Sequence, residues 1–277
     1  MSEVNFDVFC NGGNGLVDRI SGFPDQLLCH ILAFLPIKQA FITTLLSKRW
    51  TPLCYSLPLL IFDYVDTSFP CLDHQTEKDD NDDNFYRFCR FVNALMLSPL
   101  STNQRLKKFR LSYFIGFIKS LENCKGDCHL EVFKACLEAA KRRGVEDLHL
   151  SLSYHTFKPT IFISQTVVVL RHVMLYIASD TSSVDLPSLK ALDLRYVFLK
   201  NRNDYLNFLS GCRIIQDLHV ARINIRSEMH RVENNAPEEG LGSLTLSKLV
   251  RASFGSMDPL FNGIANVEFL RITSGFT

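Results

Sequence analysis

"LPSLKALDL", residues 186–194, spaces four leucines two or three positions apart and sets a lysine and an aspartate between them. The Leu-x-x-Leu-x-Leu rhythm at its end recurs as LKKFRL at 106–111, VEDLHL at 145–150, IQDLHV at 215–220, LGSLTL at 241–246 and VEFLRI at 267–272. A weaker copy, TVVVLRHV, centres on Leu170, with His172 in the last apolar place. The central residues Leu148, Leu170, Leu192, Leu218, Leu244 and Leu270 are 22, 22, 26, 26 and 26 positions apart, a repeat spacing. SKLVRASF offers a competing register around Ala252. Each motif reads as one short strand with its apolar residues turned into a shared core and the residues between them turned outward. Chance alignment in a leucine-rich chain is the alternative reading.

Between these strands the pattern is helical. LEVFKACLEAAKRR, 130–143, has Asp127 as a cap, basic residues in its last turn and Gly144 to end it. NDYLNFLSGC links the repeats centred on Leu192 and Leu218. The alternation predicts a curved solenoid over 106–277. Ahead of it PLLIFDYVD, 58–66, reads as a strand, and EKDDNDDN, 77–84, as an acidic solvated loop. A calcium loop would need a glycine and a distal glutamate that are not in place there. Asn84 is a cap for a helix whose Phe85, Phe88, Phe91, Val92, Leu95 and Met96 recur at helical spacing. Residues 61–105 are thus a connecting strand, loop and helix.

The N-terminal stretch RISGFPDQLLCHILAFLPIKQAFITTLLSKRW, 19–50, is dense in apolar residues for its length. Pro24 suits a first helical turn, and Pro36 ends a helix carrying Leu27, Leu28, Ile31, Leu32, Phe34 and Leu35. One stripe (Leu27, Ile31, Phe34, Leu35) suits an internal core, and the other (Leu28, Leu32) has nothing nearby to cover it. With helices from Lys38 to Leu46 and from about Ser47, a unit of about 40 residues results, which buries too little surface to stand alone. Its surplus apolar face implies either a partner or a hairpin docked on the chain's own second domain.

Residues 16 to about 60 resemble an F-box on the strength of FPDQLL, ILAFLP and LSKRW, in that order. The resemblance implies that three helices bind a Skp-type adaptor, and through it a cullin, by way of Phe23, Pro24, Leu27, Leu28, Ile31, Leu32, Leu35, Pro36, Leu46 and Trp50. Phe23 stands where leucine is commoner in that family, and Cys54 where many relatives have a second tryptophan. The later phrases LPSLKALDL, FLSGCRIIQDL, LVRASF and NVEFLRI resemble plant F-box/leucine-rich-repeat proteins of the kind that often carry an FBD domain. The resemblance stops at Thr277 without an FBD segment or a polar capping repeat, as in a truncated or degenerate member.

The fold class expected is α+β: a three-helix F-box (16–60) followed by an α/β leucine-rich-repeat solenoid. The implied function is that of a non-catalytic substrate receptor in a Skp-cullin-F-box ubiquitin ligase, with a scaffold or decoy that recruits no ligase as the alternative. Outward strand positions are the candidate target contacts: Arg110, His149, Asp193, Arg195, Asp217, His219 and Arg271, with Glu146, Asp147, Lys190, Arg222 and Glu268 beside them. Their mixed charge suits a protein epitope better than a polyanion.

Composition agrees with that picture. Thirty basic against twenty-nine acidic side chains supply no strong field for nucleic acid or an acidic membrane. The first ten residues carry acids and no basic segment before an apolar core, unlike a secretory signal. The longest apolar run, VVVLRHVMLYIA, is cut by Arg171 and His172, so no spanning segment is expected. The expected location is the cytoplasm, the nucleus or both. Nine cysteines in apolar contexts read as free thiols used as small hydrophobes. Cys124, Cys128 and His129 are the one dense group of metal-ligand types, and a second ligand pair is missing. No metal, cofactor or catalytic residue is expected.

Overall fold

The computed structural model describes residues 20, 22–65, 79–101, 104–114, 127–152, 156–157, 162–177, 183–225, 246–255 and 267–273. The chain begins with short helices, α1 (Asp25–Leu32), α2 (Ile37–Ile42), a 3-10 turn (Thr43–Leu45) and α3 (Trp50–Tyr55). Pro24 and Pro36 flank α1 and α2 on their N-terminal sides, where a missing N–H costs nothing. Then follow β1 (Leu59–Val65), α4 (Asp79–Met96), β2 (Lys108–Phe114), α5 (Asp127–Arg142), β3 (Asp147–Leu152) and β4 (Thr156–Phe157). The rest comprises β5 (Val169–Ile177), β6 (Ala191–Leu199), α6 (Arg202–Ser210), β7 (Asp217–Ile225), β8 (Arg251–Gly255) and β9 (Phe269–Thr273).

The strands form one parallel sheet in the order β1-β2-β3-β5-β6-β7-β8-β9, with the two-residue β4 beside β5. One backbone device repeats at the foot of each strand. The carbonyls of Pro58, Lys107, Glu146, Val168, Lys190, Gln216 and Val250 each accept two successive N–H groups from the start of the next strand, at 2.8–3.2 Å. This series begins at Pro58, so β1 is the first strand of the sheet and α4 its first covering helix. Within the stretch 61–105, read from the sequence as a connection, β1 is a strand of the sheet and α4 packs on it.

Two rows of side chains point inward across the register. One runs Leu60, Phe109, Leu148, Leu170, Leu192, Leu218, Ala252, Leu270, and the other Phe62, Leu111, Leu150, His172, Leu194, Val220, Phe254, Ile272. His172 is a true member: it is fully buried, its ring meets Phe162 edge-on at 6.2 Å, and burial holds its pKa down at about 3. Ala252, and not Leu244, aligns with Leu218, so SKLVRASF supplies the strand and the expected 26-residue spacing gives way to 34 and then 18. Residues 241–245 lie outside the described residues.

The inward rows are covered by α4, α5 and α6 through Phe88, Val92, Phe133, Leu137, Tyr205 and Phe208, all buried. The helix α4 starts at Asp79, five residues before the expected cap Asn84, so most of the acidic run is helical. Gly144 ends α5 in the left-handed region (φ +70°), its N–H on Lys141 O at 2.9 Å and that of Val145 on Ala140 O at 3.2 Å. The side chain of Asn201 caps α6 on the N–H of Asp204 at 2.8 Å. At the far edge no described element covers β9, and its inward residues Leu270 and Ile272 are 51% and 50% exposed.

Candidate functional site

The N-terminal helices share one core with the sheet. Phe41 of α2 packs edge-on against Phe91 of α4 at 5.4 Å, and Phe91 against Phe62 of β1 at 6.0 Å. Within the helices, Leu28, Leu32, Ala40, Trp50, Leu53 and Cys54 are buried. This reverses the expected use of α1. Leu28 and Leu32, at 0% and 1% exposure, face the core, and Leu27, Ile31 and Phe34 face outward. The sheet and α4 lie on the side that the isolated helix pattern left without a cover. Leu28, Leu32 and Trp50, also among the candidate adaptor contacts, are buried within this chain.

The surplus remains on the other stripe. Among the described residues, nine of the nineteen exposed large apolar side chains fall between Ile20 and Leu46, led by Leu45 at 83%, Phe34 at 76% and Leu46 at 72%. Phe23, Leu27, Ile31 and Leu35 are partly open, and Pro24 and Pro36 are exposed. Of the ten candidates, seven therefore reach solvent. Ile42, the last residue of α2, and Leu45, in the 3-10 turn after it, join them, and sequence reasoning missed both. A cleft of about 440 Å³ between the α1–α2 turn and β1, lined by Phe34, Leu35, Ile37, Leu59 and Ile61, continues the apolar surface toward the sheet.

Arg49 organises the start of this surface. Its guanidinium donates to Asp25 Oδ1 through Nε at 3.1 Å and Nη2 at 2.6 Å, and Nη2 also donates to the carbonyl of Phe23 at 2.6 Å. The turn that displays Phe23 and Leu27 is thereby tied to the start of α3. Cys54 is buried, and desolvation pushes its pKa up to about 11, so it packs as a small hydrophobe. The departure from tryptophan there is absorbed inside the unit.

The second surface is the outer face of the sheet. Arg110, His149, Arg171, Asp193, His219, Ser253 and Arg271 fall in one register row. Five of the seven candidate target contacts lie in it. Asp217 stands in the row before, with Lys108, Asp147 and Arg251, and Arg195 in the row after, with Asp63. Opposite charges pair along and across these rows: Arg110 with Asp63 at 2.9 Å, Lys108 and Arg171 with Asp147 at 3.1 and 2.6 Å, and Arg195 with Asp193 at 2.9 Å. Arg251 pairs with Asp217, and the His219 ring lies 3.9 Å from Asp193. The pKa of His149 is lowered, first by desolvation and then by the charges of Arg110 and Arg171. Sequence reasoning missed Arg171 and Arg251, yet the signal was present, because each follows or precedes the central residue of its strand as Asp193 and Asp217 do. A depression of about 740 Å³ spans β5 to β9 on this face, lined by Val169, Ala191, His219, Arg251, Glu268 and Arg271.

Other features carry less. Among the described residues there is no group of three or more His, Cys, Asp or Glu side chains placed to hold a metal ion. Cys124 and the side chains of Cys128 and His129 lie outside the described residues. No helix among the described residues is long and apolar enough to cross a membrane. Cys136 and Cys212 are buried thiols whose pKa burial pushes up to about 12, far from a reactive thiolate.

Comparison with known proteins places this geometry in context. Residues 20–66 match the F-box domain model. The chain is similar to F-box/LRR-repeat proteins of Arabidopsis thaliana: to At4g14096 at 33% identity over 74% of this chain and 40% of the relative, and to At3g59200 at 32% over 74% and 37%. The similarity to At4g15060, also an F-box/LRR-repeat protein, is 27% and extends over 93% of this chain and 55% of the relative. The chain spans about two fifths of the length of the first curated relatives it matches. No solved structure matches it.

Proposed function

We propose that this chain, an F-box domain fused to a sheet of leucine-rich repeats, is the substrate-recognition subunit of a Skp-cullin-F-box ubiquitin ligase. The observation that carries the reading is the uncovered stripe of Phe23, Leu27, Ile31, Phe34, Leu45 and Leu46, on helices whose other side is already packed against the sheet. So many exposed large apolar side chains within one short stretch mark a protein-binding surface. The adaptor would occupy it, and the cullin would follow through the adaptor. The repeats, read as a solenoid, would hold the target on their outer face, whose paired and alternating charges favour a protein epitope over a polyanion. The chain itself performs no chemistry in this reading. It raises the effective concentration of target lysines at an active site belonging to another subunit. Reduced thiols at Cys29, Cys54, Cys89, Cys136 and Cys212 suit a cytoplasmic or nuclear location.

The alternative is a scaffold that recruits no ligase, favoured if Cys54, buried in this chain, weakens the adaptor contact. Deleting the helices is a poor test, because it would uncover Phe62 and Phe91. The test is capture from cells with the tagged full chain and with Leu45→Asp/Leu46→Asp. Adaptor and cullin are expected with the parent chain and absent with the variant at equal folded yield. Equal recovery with both, or with neither, contradicts the proposal.

A further inference from the structure

We infer that the target is held through an acidic side chain taken by Arg222, on a row of bulged residues that crosses the outer face of the sheet; this rests on the target-binding reading above. In β5, β6 and β7 the pairing skips one residue per strand, passing from Val173, Arg195 and Ala221 straight to Leu175, Val197 and Ile223. The skipped residues, Met174, Tyr196 and Arg222, stand at equivalent positions in the left-handed region, with φ of 63°, 56° and 60°. Leu194 and Val197 are both buried, so the bulge leaves two successive residues of β6, Arg195 and Tyr196, outside the core. Glycine or asparagine adopts this backbone most readily, and a bulge needed only to bend the sheet would use one of them. Three long side chains stand there instead, so the side chains themselves are what the bulges present.

Two of them already form a recognition pair. The Arg222 guanidinium lies over the exposed Tyr196 ring, 5.2 Å from its centroid. Tyrosine and arginine are the residue types that most often dominate interface energies. Arg110, Arg171, Arg195 and Arg251 on the same face each hold a carboxylate of this chain. Among the described residues no carboxylate pairs with Arg222, whose positive charge is thus available, flattened on an aromatic platform that orients it. The partner that fits is a protein segment presenting aspartate or glutamate beside an apolar side chain, the acid on Arg222 and the apolar group on Tyr196 and Met174.

A random-peptide phage library selected on the purified full chain tests this, followed by affinity measurements on the synthesised peptides. Selected peptides are expected to carry aspartate or glutamate, and to bind Arg222→Gln and Tyr196→Ala about tenfold more weakly. Arg213→Gln, on the turn after α6 and away from this face, should leave their binding unchanged, and the melting temperature should hold in all three variants. Peptides without acids, or peptides indifferent to Arg222→Gln but lost on Arg171→Gln, overturn the acidic assignment and leave the target face standing. Peptides indifferent to every substitution on this face, or no selection at all, overturn both.

Discussion

The sheet and the N-terminal helices are built from the same apolar residue types and treat them in opposite ways. In the sheet, Leu148, Leu170, Leu192 and Leu218 stack in register with a covering layer behind them, and each is almost fully buried. In the helices, Leu28 and Leu32 find such a cover, whereas Leu45 and Leu46 of the same helical unit stay open. The fate of a leucine is set by whether its own chain supplies a second layer on that side. Where it does not, the surface is left for another molecule.

That contrast is broken most forcefully by truncating one residue of each kind. Leu192→Ala should cost about 2–5 kcal/mol, from lost burial and the cavity left behind, whereas Leu45→Ala should stay within about 0.5 kcal/mol. Urea unfolding of both variants measures the difference, and comparable losses would mean that the exposed stripe is internal after all.

The next effect concerns the one polar member of the inward rows. With its folded pKa at about 3 against an ordinary 6.5, His172 is neutral in the native state while the unfolded chain takes up a proton. Its contribution is therefore fully present above pH 6.5 and is lost as pH falls from 6.5 toward 3, at up to about 1.4 kcal/mol per pH unit. His172→Leu, which restores the residue type of Leu150 and Leu194, should flatten this part of the stability–pH curve. An unchanged slope would show that other groups set it.

Smaller is the effect of Gly144→Ala, which puts a Cβ on left-handed backbone and should cost about 1–2 kcal/mol. No neighbour would clash with the added methyl, since its closest contact is Thr166 Cγ2 at 4.0 Å. Smallest in stability is Arg49→Ala, which breaks a solvent-exposed pair and should change unfolding by less than about 1 kcal/mol. Adaptor affinity should nonetheless fall by about tenfold as the turn carrying Phe23 loosens, an interface loss of about 1.4 kcal/mol. Titration of the variant with adaptor checks it, and Arg49→Lys, which lacks the planar fork, should recover the loss only in part.

The same contrast explains what was legible in the sequence. The strands centred on Phe109, Leu148, Leu170, Leu192, Leu218 and Leu270, and the helices α5 and α6, followed from local rhythm and local caps. The stripe of α1 that faces the core did not, because Leu27/Ile31 and Leu28/Leu32 are equally apolar and the choice between them is made by Phe41, Phe62 and Phe91, which lie far along the chain. The strand at Ala252 was legible only as a competing register beside a better leucine pattern at 241–246, an alanine being enough inside a row whose neighbours supply the bulk. On the outer face, Arg171 escaped notice because its repeat carries a histidine at an inward position, and Met174 and Tyr196 because a bulge leaves no mark in a spacing of two; Arg222 was named as an outward position, but not the bulge that presents it.

The central claim is that the open stripe on the helices is finished by a second polypeptide. Calorimetric titration of the purified full chain with a Skp-type adaptor, at several temperatures, tests it most directly. The account predicts one-to-one binding with a clearly negative heat-capacity change, abolished by Leu45→Asp/Leu46→Asp without loss of folding. Absence of binding at micromolar concentration, or binding that survives this double substitution undiminished, would contradict it.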